Sequence, residues 1–247
     1  MIFCDLNMTI KIISNEAMIL AAGYGKRMLP LSDRIPKALV TINKKPLIEH
    51  CIEKLKNVGI DRVVVNTHHL SSKINEFIGT KNYKIDVLYE KKILDTGGGI
   101  LNAIKKEKIG KNNSPFFVLN GDSFWVEKNS PLKELSKFWD EKKMDLLLIL
   151  SNKDKIFGYK GFGDYDFADA KDKFGRLSNR WKHRKYVFTG VQLLNPKILK
   201  KTTKKVFSMK EIFTEAMNKK KLFGLVDENE WYHVGTTKTL DEINRKL

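Results

Sequence analysis

The chain has 247 residues, 42% of them hydrophobic and 30% charged, with a formal net charge of +17 at pH 7. This length allows one substantial core, and the lack of any run of about 18 apolar residues excludes a transmembrane helix. Cys4 and Cys51 are too few for a disulfide framework or a CxxC zinc site, so we expect a protein of the reducing cytoplasm.

The first half of the chain alternates buried strands with helices, a pattern typical of βαβ units and a largely parallel sheet. Residues 17–21 are an apolar run that predicts a strand. Apolar residues then recur at helical spacing from Leu47 to Val58, with Pro46 in the first turn and Gly59 beyond the end. The other elements predicted here are strands over 62–66, 85–89, 116–120 and 146–150, and helices over 71–78, 97–106 and 131–143.

The second half has a different character. Residues 152–190 are rich in Gly, Asp, Lys and aromatic residues, which predicts hairpins and loops. Ser208 and Glu211 have the spacing of a capping box and predict the start of a helix. The last predicted elements are strands over 222–226 and 231–234 and a terminal helix capped by Thr236 or Thr239.

Neither an internal repeat nor a linker-like segment divides the chain. We therefore predict a single domain over residues 17–247, preceded by an N-terminal extension over residues 1–16. The extension has scattered charges and no continuous apolar stretch, so it lacks the pattern of a secretory signal. No pattern in the sequence determines the oligomeric state.

The positive charge permits two interpretations. A basic surface attracts nucleic acid without sequence preference, or it decorates solvated faces and concentrates small polyanions in a cleft. Lysine supplies nearly all of the charge, whereas arginine is the side chain favoured for bidentate phosphate recognition. Aromatic residues do not interleave with the lysines as they do in a stacking platform. We therefore expect no nucleic-acid partner. The arginines are at positions 27, 34, 62, 176, 180, 184 and 245.

The sharpest local motif is the sequence LAAGYGKRMLP at residues 20–30, directly after the first predicted strand. Gly23 and Gly25 let backbone amides approach phosphate oxygens, and Lys26 and Arg27 add positive charge. The segment is not a Walker A loop, because Arg27 follows Lys26, and it lacks the third glycine of the dinucleotide fingerprint. Such a glycine pair is often only a turn, but its position and charge favour a phosphate-binding loop.

The motifs that follow, taken in order, resemble those of the sugar-1-phosphate nucleotidyltransferase family. The resemblance extends from about residue 17 to the C-terminus and is specific as a set. Within the family, residues 96–99 are most similar to the N-acetylmuramate-1-phosphate uridylyltransferase branch, and mannose-1-phosphate guanylyltransferases are the nearest rival. The matching segments are residues 20–31, 36–39, 46–49, 66, 95–99, 120–122, 188–190 and 234–236.

The resemblance implies an α/β, Rossmann-like three-layer fold with a mostly parallel central sheet and an inserted hairpin and loop region for the sugar. It implies transfer of a nucleoside monophosphate from a nucleoside triphosphate, with UTP favoured, to a sugar 1-phosphate, with N-acetylmuramate 1-phosphate as the candidate. The products are a nucleoside diphosphate sugar and pyrophosphate. A phosphomonoester has a second pKa near 6, so the nucleophile is already ionised at neutral pH and needs no general base.

The resemblance also assigns roles to residues at matching positions. Arg27 faces the leaving pyrophosphate, Lys37 bridges toward the reacting phosphates, and Asp122 coordinates Mg²⁺. The positions expected to hold the nucleotide are Ala21, Ala22, Gly23, Gly25, Asn66, Thr96 and Gly97. The positions expected to hold the sugar phosphate are Gly163, Asp164 and Gly190.

Each assignment has a structural alternative. Arg27 and Lys37 are alternatively surface charges, Asp122 is a turn residue after Asn-Gly, and residues 96–99 are a flexible connection. His68 and His69 follow a predicted strand and either line the cleft or belong to a polar loop. Because these motifs occur together and in the family order, we favour the functional roles for Arg27, Lys37, Asp122 and residues 96–99.

His233 departs from the family pattern, because the motif at residues 231–236 normally reads Trp-x-Asp-Val-Gly-Thr. That aspartate is the second metal carboxylate of the family, so the expected ligands here are Asp122 and His233. Mg²⁺ prefers oxygen ligands, whereas imidazole suits Mn²⁺ better. We expect Mg²⁺ with weak activation, or a preference for Mn²⁺. A nucleotide-binding relative with impaired catalysis is the alternative that His233 raises.

Overall fold

The computed structural model describes residues 10–81, 83–169, 173–180 and 184–247. Its strands are β1 (Glu16–Leu20), β2 (Thr41–Ile42), β3 (Lys45–Pro46), β4 (Arg62–Thr67), β5 (Ile85–Tyr89), β6 (Phe116–Asn120), β7 (Phe124–Val126), β8 (Leu146–Asn152), β9 (Asp166–Phe167), β10 (Phe174–Ser178), β11 (Tyr186–Leu194), β12 (Leu222–Val226) and β13 (Glu230–Tyr232). Its α-helices are α1 (Leu47–Asn57), α2 (Ser71–Gly79), α3 (Asp95–Lys105), α4 (Pro131–Phe138), α5 (Met209–Asn218) and α6 (Thr237–Lys246).

The central sheet has the strand order β5-β4-β1-β6-β11-β8-β12-β10-β9. Strands β5, β4, β1 and β6 are parallel to one another, and β11 and β10 run against their neighbours. The register pairs Leu20 with Asn66 on one side and with Asn120 on the other. The loops that follow β1, β4 and β6 therefore meet at one edge of the sheet, where open α/β sheets bind ligands.

Helices cover both faces of this sheet. Alternate residues of each strand point to opposite faces, so Ala17 and Ile19 join one core and Met18 joins the other. Apolar residues of α1, α2 and α4 pack in the first core, and those of α3 and α5 pack in the second. The expected three-layer α/β architecture with a mostly parallel sheet is confirmed.

A third, smaller core lies beside the glycine-rich loop. Met28 of this loop is fully buried and packs in one cluster with Phe124, Tyr232 and the α6 residue Leu240. Two small sheets, β7–β13 and β2–β3, support this cluster. Helix α6 thus packs beneath the glycine-rich loop. Thr236 caps the N-terminus of α6 by accepting a hydrogen bond from the Thr239 amide.

Most predicted elements are confirmed, but the helix predicted over 131–143 ends at Phe138. Trp139 has extended backbone angles and is largely buried, and Asp140 then caps a turn by accepting a hydrogen bond from the Lys142 amide. Residues 152–190 contain the predicted hairpin, β9–β10, at the far edge of the sheet, but they also supply β11 to its centre.

At the N-terminus, β1 begins at Glu16, one residue before the predicted domain start. Residues 1–9 of the predicted extension, including Cys4, lie outside the described residues. Among the residues that the structure does describe, no helix is both long and apolar enough to cross a lipid bilayer.

Candidate active site

A cavity of about 390 Å³ opens at the carboxyl edge of β1, β4 and β6. One wall is the glycine-rich loop, and another is the start of α3 with Ile93, Asp95 and Thr96. Lys37 and the turn after β6, which ends in Asp122, complete the lining together with Gly235. The cavity thus collects residues from segments that are far apart in the chain.

The glycine-rich loop leaves backbone donors available beside this cavity. The amides of residues 22–25 donate no hydrogen bond to another described residue, and Ala22, Gly23 and Gly25 line the cavity. Gly25 has a φ of 65°, and a Cβ there would lie 3.2 Å from the Ser32 Cβ. At Gly23 a Cβ would meet nothing within 4 Å, so this side of the loop is open.

Arg27 is a free cation at this cavity. It lines the wall and makes no hydrogen bond or ion pair with the part of the chain that the structure describes. Its Nη1 lies 3.8 Å from the position that a Cβ on Gly235 would take, which places it beside the segment after β13.

Lys37 and Asp122 meet at the floor of the cavity, where the lysine ammonium and the carboxylate form an ion pair. Burial alone would raise the pKa of the Asp122 carboxyl, but the charge and hydrogen bond of Lys37, together with a backbone hydrogen bond and His233, hold this pKa below its ordinary value. The carboxylate is therefore ionised at neutral pH.

His233 lies close to this pair because of strand pairing. β7 and β13 are antiparallel with Phe124 opposite Tyr232, so the residues just before β7 lie near those just after β13. Burial, and then the positive charges of Lys37 and Arg27, lower the pKa of His233, with Asp122 opposing. The imidazole is therefore neutral at neutral pH, the form in which histidine binds metals.

The protein's own metal donors at this site are few. Among the described residues, no group of three or more His, Cys, Asp and Glu side chains lies close enough to hold a metal ion. Asp122 and His233 together offer carboxylate oxygens and one neutral nitrogen. This pair fits a divalent cation that takes its remaining ligands from substrate phosphate oxygens.

Asn66 supports the glycine-rich loop from the neighbouring strand. Its Oδ1 accepts a hydrogen bond from the Ala21 amide at 3.0 Å, and its Nδ2 donates to Glu90 Oε1 at 2.8 Å. The other Glu90 oxygen accepts from the Leu94 amide at 3.1 Å, just before α3. The buried Glu90 thus connects the Asn66 wall to the α3 wall.

Sequence reasoning missed Glu90. Glu90 follows β5 directly, and Asn66 lies near the carboxyl end of the neighbouring strand β4, opposite Leu20. Both are therefore polar residues at the carboxyl ends of adjacent parallel strands. A polar residue directly after a predicted parallel strand is a sequence signal for a site residue, and applied to β5 it would have identified Glu90.

Thr96 and Gly97 occupy different places. Thr96 lines the cavity and its Oγ1 accepts a hydrogen bond from the Met209 amide. Gly97 lies behind the wall, where its amide donates to the Phe207 carbonyl and a Cβ would lie 2.3 Å from the Phe207 ring. The buried glycines of α3 therefore make room for the segment that leads into α5.

None of the three residues expected to hold the sugar phosphate lines this cavity, although Gly190 is next to a residue that does. Gly190 has a φ of 88°, and a Cβ there would lie 2.8 Å from Asn120 Nδ2, beside the cavity floor. Gly163 and Asp164 are outside the lining: a Cβ on Gly163 would lie 2.1 Å from the Arg184 carbonyl oxygen, and Asp164 accepts from the Phe188 amide. These two residues hold their loop against β11.

Three comparisons relate the whole chain to known proteins. The family model described as "Nucleotidyl transferase" matches residues 16–247. The chain is 30% identical to the N-acetylmuramate alpha-1-phosphate uridylyltransferase of Caulobacter vibrioides over 89% of this chain and 91% of that protein. It is 29% identical to a probable mannose-1-phosphate guanylyltransferase of Arabidopsis thaliana over 89% of this chain, but spans only 61% of that protein.

A solved structure has the same fold. The crystal structure of HddC from Yersinia pseudotuberculosis in complex with GMP-PN superposes with a TM-score of 0.72 at 23% identity, covering 94% of this chain and 98% of that one.

Proposed function

Because the chain belongs to the nucleotidyl transferase family, we propose that it transfers uridine monophosphate from UTP to a sugar 1-phosphate, with N-acetylmuramate 1-phosphate as the leading candidate. The observation that carries this proposal is the cavity in which unpaired loop amides, Arg27 and the Lys37–Asp122 pair meet at the carboxyl edge of the sheet. Amides and fixed cations around one cavity are what a polyphosphate requires.

In the proposed reaction, a phosphate oxygen of the sugar phosphate forms a bond to the α-phosphorus of the triphosphate. The bond from this phosphorus to the α–β bridging oxygen breaks, and pyrophosphate leaves with the electron pair. The nucleophile is already ionised, so the protein aligns two anions and offsets their repulsion. Lys37 supplies positive charge where the two substrates meet, and Arg27 with the loop amides binds the departing pyrophosphate.

Asp122 and His233 would hold a divalent cation, which when bound offsets negative charge on the triphosphate. Mg²⁺ is the proposed ion, with Mn²⁺ as the ion that a nitrogen ligand favours. Ion pairing with Lys37 keeps the Asp122 carboxylate ionised, and burial keeps the His233 imidazole neutral, so both ligand groups have a lone pair available.

The nucleoside is proposed to lie between the Asn66 wall and the start of α3. Ala21, Asp95 and Thr96 line this end of the cavity, and Glu90 orients Asn66 from behind. Gly97 contributes to this site through packing. The sugar phosphate is proposed to approach from the Gly190 side, and the loop that Gly163 and Asp164 hold against β11 borders that approach.

UTP is proposed over GTP because the chain spans 91% of the matched uridylyltransferase and 61% of the matched guanylyltransferase. Transfer of guanosine monophosphate to mannose 1-phosphate is the second candidate, since the sequence identities to the two relatives are nearly equal.

Pyrophosphate release tests the proposal. UTP or GTP is offered with N-acetylmuramate, N-acetylglucosamine, glucose or mannose 1-phosphate, each in Mg²⁺ and in Mn²⁺, and Lys37→Ala serves as the control. We expect release with UTP and N-acetylmuramate 1-phosphate that the variant lacks. Release only with GTP and mannose 1-phosphate would select the second candidate. Nucleotide binding without release from any pair would reject catalysis.

A further inference from the structure

Tyr24 lies between the two glycines of the phosphate-binding loop, yet it is not part of the cavity lining. Its hydroxyl oxygen is 3.0 Å from Nε2 of His68, and its ring meets the His68 ring edge-on, with 5.4 Å between centroids. The ring also packs against His69, at 5.6 Å between centroids. The loop therefore contacts the turn between β4 and α2 through one aromatic side chain.

Both histidines are anchored to backbone carbonyls. His68 Nδ1 lies 2.7 Å from the Glu90 carbonyl oxygen, and His69 Nε2 lies 2.8 Å from the Ser32 carbonyl oxygen. A carbonyl oxygen only accepts, so each of these nitrogens carries a proton. A neutral His68 then presents Nε2 as an acceptor, and the Tyr24 hydroxyl donates to it. The hydrogen bond has a defined direction and a rigid acceptor.

The two halves of the loop are held differently. Around Gly25, the loop rests on Ser32 and Lys37, whose Cβ atoms lie within 3.3 Å of the position of an added Cβ. Around Gly23, an added Cβ meets nothing within 4 Å. Among the described residues, the Tyr24 hydroxyl makes the side-chain hydrogen bond that ties residues 22–27 to the rest of the protein. The position of the first half of the loop thus depends on Tyr24.

We propose that Tyr24 and His68 form a clasp that fixes the loop in its triphosphate-binding conformation before the nucleotide arrives. Both are positioning residues, and the inference rests on the proposed function of the loop. When a binding loop takes its binding conformation only part of the time, the apparent affinity for the ligand is reduced in proportion to that fraction. The clasp therefore affects the affinity for the nucleotide, whereas Lys37 and Arg27 bind the reacting phosphates and the departing pyrophosphate.

If the clasp is lost, we expect the binding affinity to fall for some ligands and not for others. The loop amides are proposed to bind the phosphates beyond the α position, so UTP depends on the clasp and UMP does not. Tyr24→Phe removes only the hydroxyl and is expected to weaken UTP binding about two- to tenfold, the scale of one hydrogen bond, with UMP binding unchanged. A general loss of structure would weaken both ligands.

Two substitutions of His68 separate its two hydrogen bonds. His68→Asn keeps a donor near the Nδ1 position, for the Glu90 carbonyl, and loses the acceptor for Tyr24. His68→Gln places an amide oxygen near the Nε2 position and keeps that acceptor. We expect His68→Asn to weaken UTP binding as much as Tyr24→Phe does, and His68→Gln to stay within about twofold of the wild type. The Tyr24→Phe/His68→Asn double variant is expected to be no weaker than either single variant, because both remove one interaction.

The experiment is isothermal titration of the full chain with UTP and with UMP in Mn²⁺, without sugar phosphate, and with the melting temperature of each variant as a second measurement. Tyr83→Phe is the matched control, since it removes a tyrosine hydroxyl that donates to Glu49, outside the cavity lining. Equal UTP affinity of wild type and Tyr24→Phe, or additive effects in the double variant, would overturn the clasp. A wild-type protein that does not bind UTP would instead overturn the proposed transfer from UTP.

Discussion

Lys37 and Asp122, 85 residues apart in the chain, form an ion pair at the floor of the cavity. Lys37 comes from a short turn after the glycine-rich loop, and Asp122 from the turn after β6. The pair places a fixed cation and a fixed anion side by side, at the point where an attacking anion and a metal-bound triphosphate are proposed to meet. Removing either member leaves the other charge unbalanced in a partly buried place.

Lys37→Ala is expected to lower kcat/KM for pyrophosphate release about 100- to 1,000-fold, since it removes a positive charge aimed at the reacting phosphates. Lys37→Arg is expected to recover little, because a planar guanidinium replaces a compact ammonium. Lys73→Ala is the matched control: it removes an exposed lysine bonded to the Arg34 carbonyl, outside the cavity lining. Similar kcat/KM values for all four proteins would remove Lys37 from the proposed reaction.

His233→Asp is expected to lower the Mg²⁺ concentration for half-maximal activity about tenfold or more, because a second carboxylate beside Asp122 adds a negative charge and oxygen ligands. The ratio of activity in Mn²⁺ to activity in Mg²⁺ is expected to fall at the same time. His233→Asn has similar size without the charge and separates the two effects. An unchanged Mg²⁺ titration in His233→Asp would show that residue 233 is not a ligand.

The pH dependence of folding stability is expected to reveal Glu90. Burial raises the pKa of its carboxyl above the ordinary value, although hydrogen bonds from Asn66 and the Leu94 amide oppose this. The folded protein therefore holds the Glu90 proton to a higher pH than the unfolded chain does. Stability from this group is complete below the unfolded pKa and is lost as the pH rises through the folded pKa.

Urea unfolding between pH 4.5 and 7.5 measures this effect. Acidification is expected to raise the unfolding free energy of the wild type relative to Glu90→Gln, with a limiting slope of about 1.4 kcal/mol per pH unit for one proton. Glu90→Gln removes the titrating group but also one of the two acceptor oxygens that Glu90 uses, so the comparison is between the slopes against pH and not between the absolute unfolding free energies. Parallel curves for the two proteins would contradict the assigned burial of Glu90.

Gly99→Ala is expected to destabilise the protein by about 1–3 kcal/mol, the scale of overpacking in a core, and to weaken UTP binding. Its Cβ would lie 2.7 Å from Asn66 Nδ2 and 2.9 Å from Glu90 Oε1, so the hydrogen bond that orients Asn66 must move. Gly79→Ala is the control, because a Cβ at the end of α2 meets nothing within 4 Å. Thermal unfolding measures the stability of both variants, and titration with UTP measures the binding. An equal melting temperature for Gly99→Ala and Gly79→Ala would refute the expected clash.

Short-range patterns in the sequence predicted most of the secondary structure. Apolar runs located β1, β5, β6 and β12 within one residue of their observed bounds, and the charged glycine-rich loop was located directly after β1. These features are local: the spacing of apolar side chains and the backbone freedom of glycine act over a few residues. The prediction failed at Trp139, which has extended backbone angles and joins the first core, whereas the periodicity would continue the helix.

By itself, the sequence determined the alternation of strands and helices, the place of the glycine-rich loop and the identity of the charges around it, because each depends on residues close together in the chain. The family resemblance predicted that Asp122 and His233 meet, and the structure shows that the β7–β13 pairing brings them together. Tertiary structure alone decided that Glu90 orients Asn66 and that Gly97 packs on Phe207 behind the cavity. These relations join residues that are separated by tens of positions or more, and their geometry follows from strand register and side-chain packing, which no local pattern encodes.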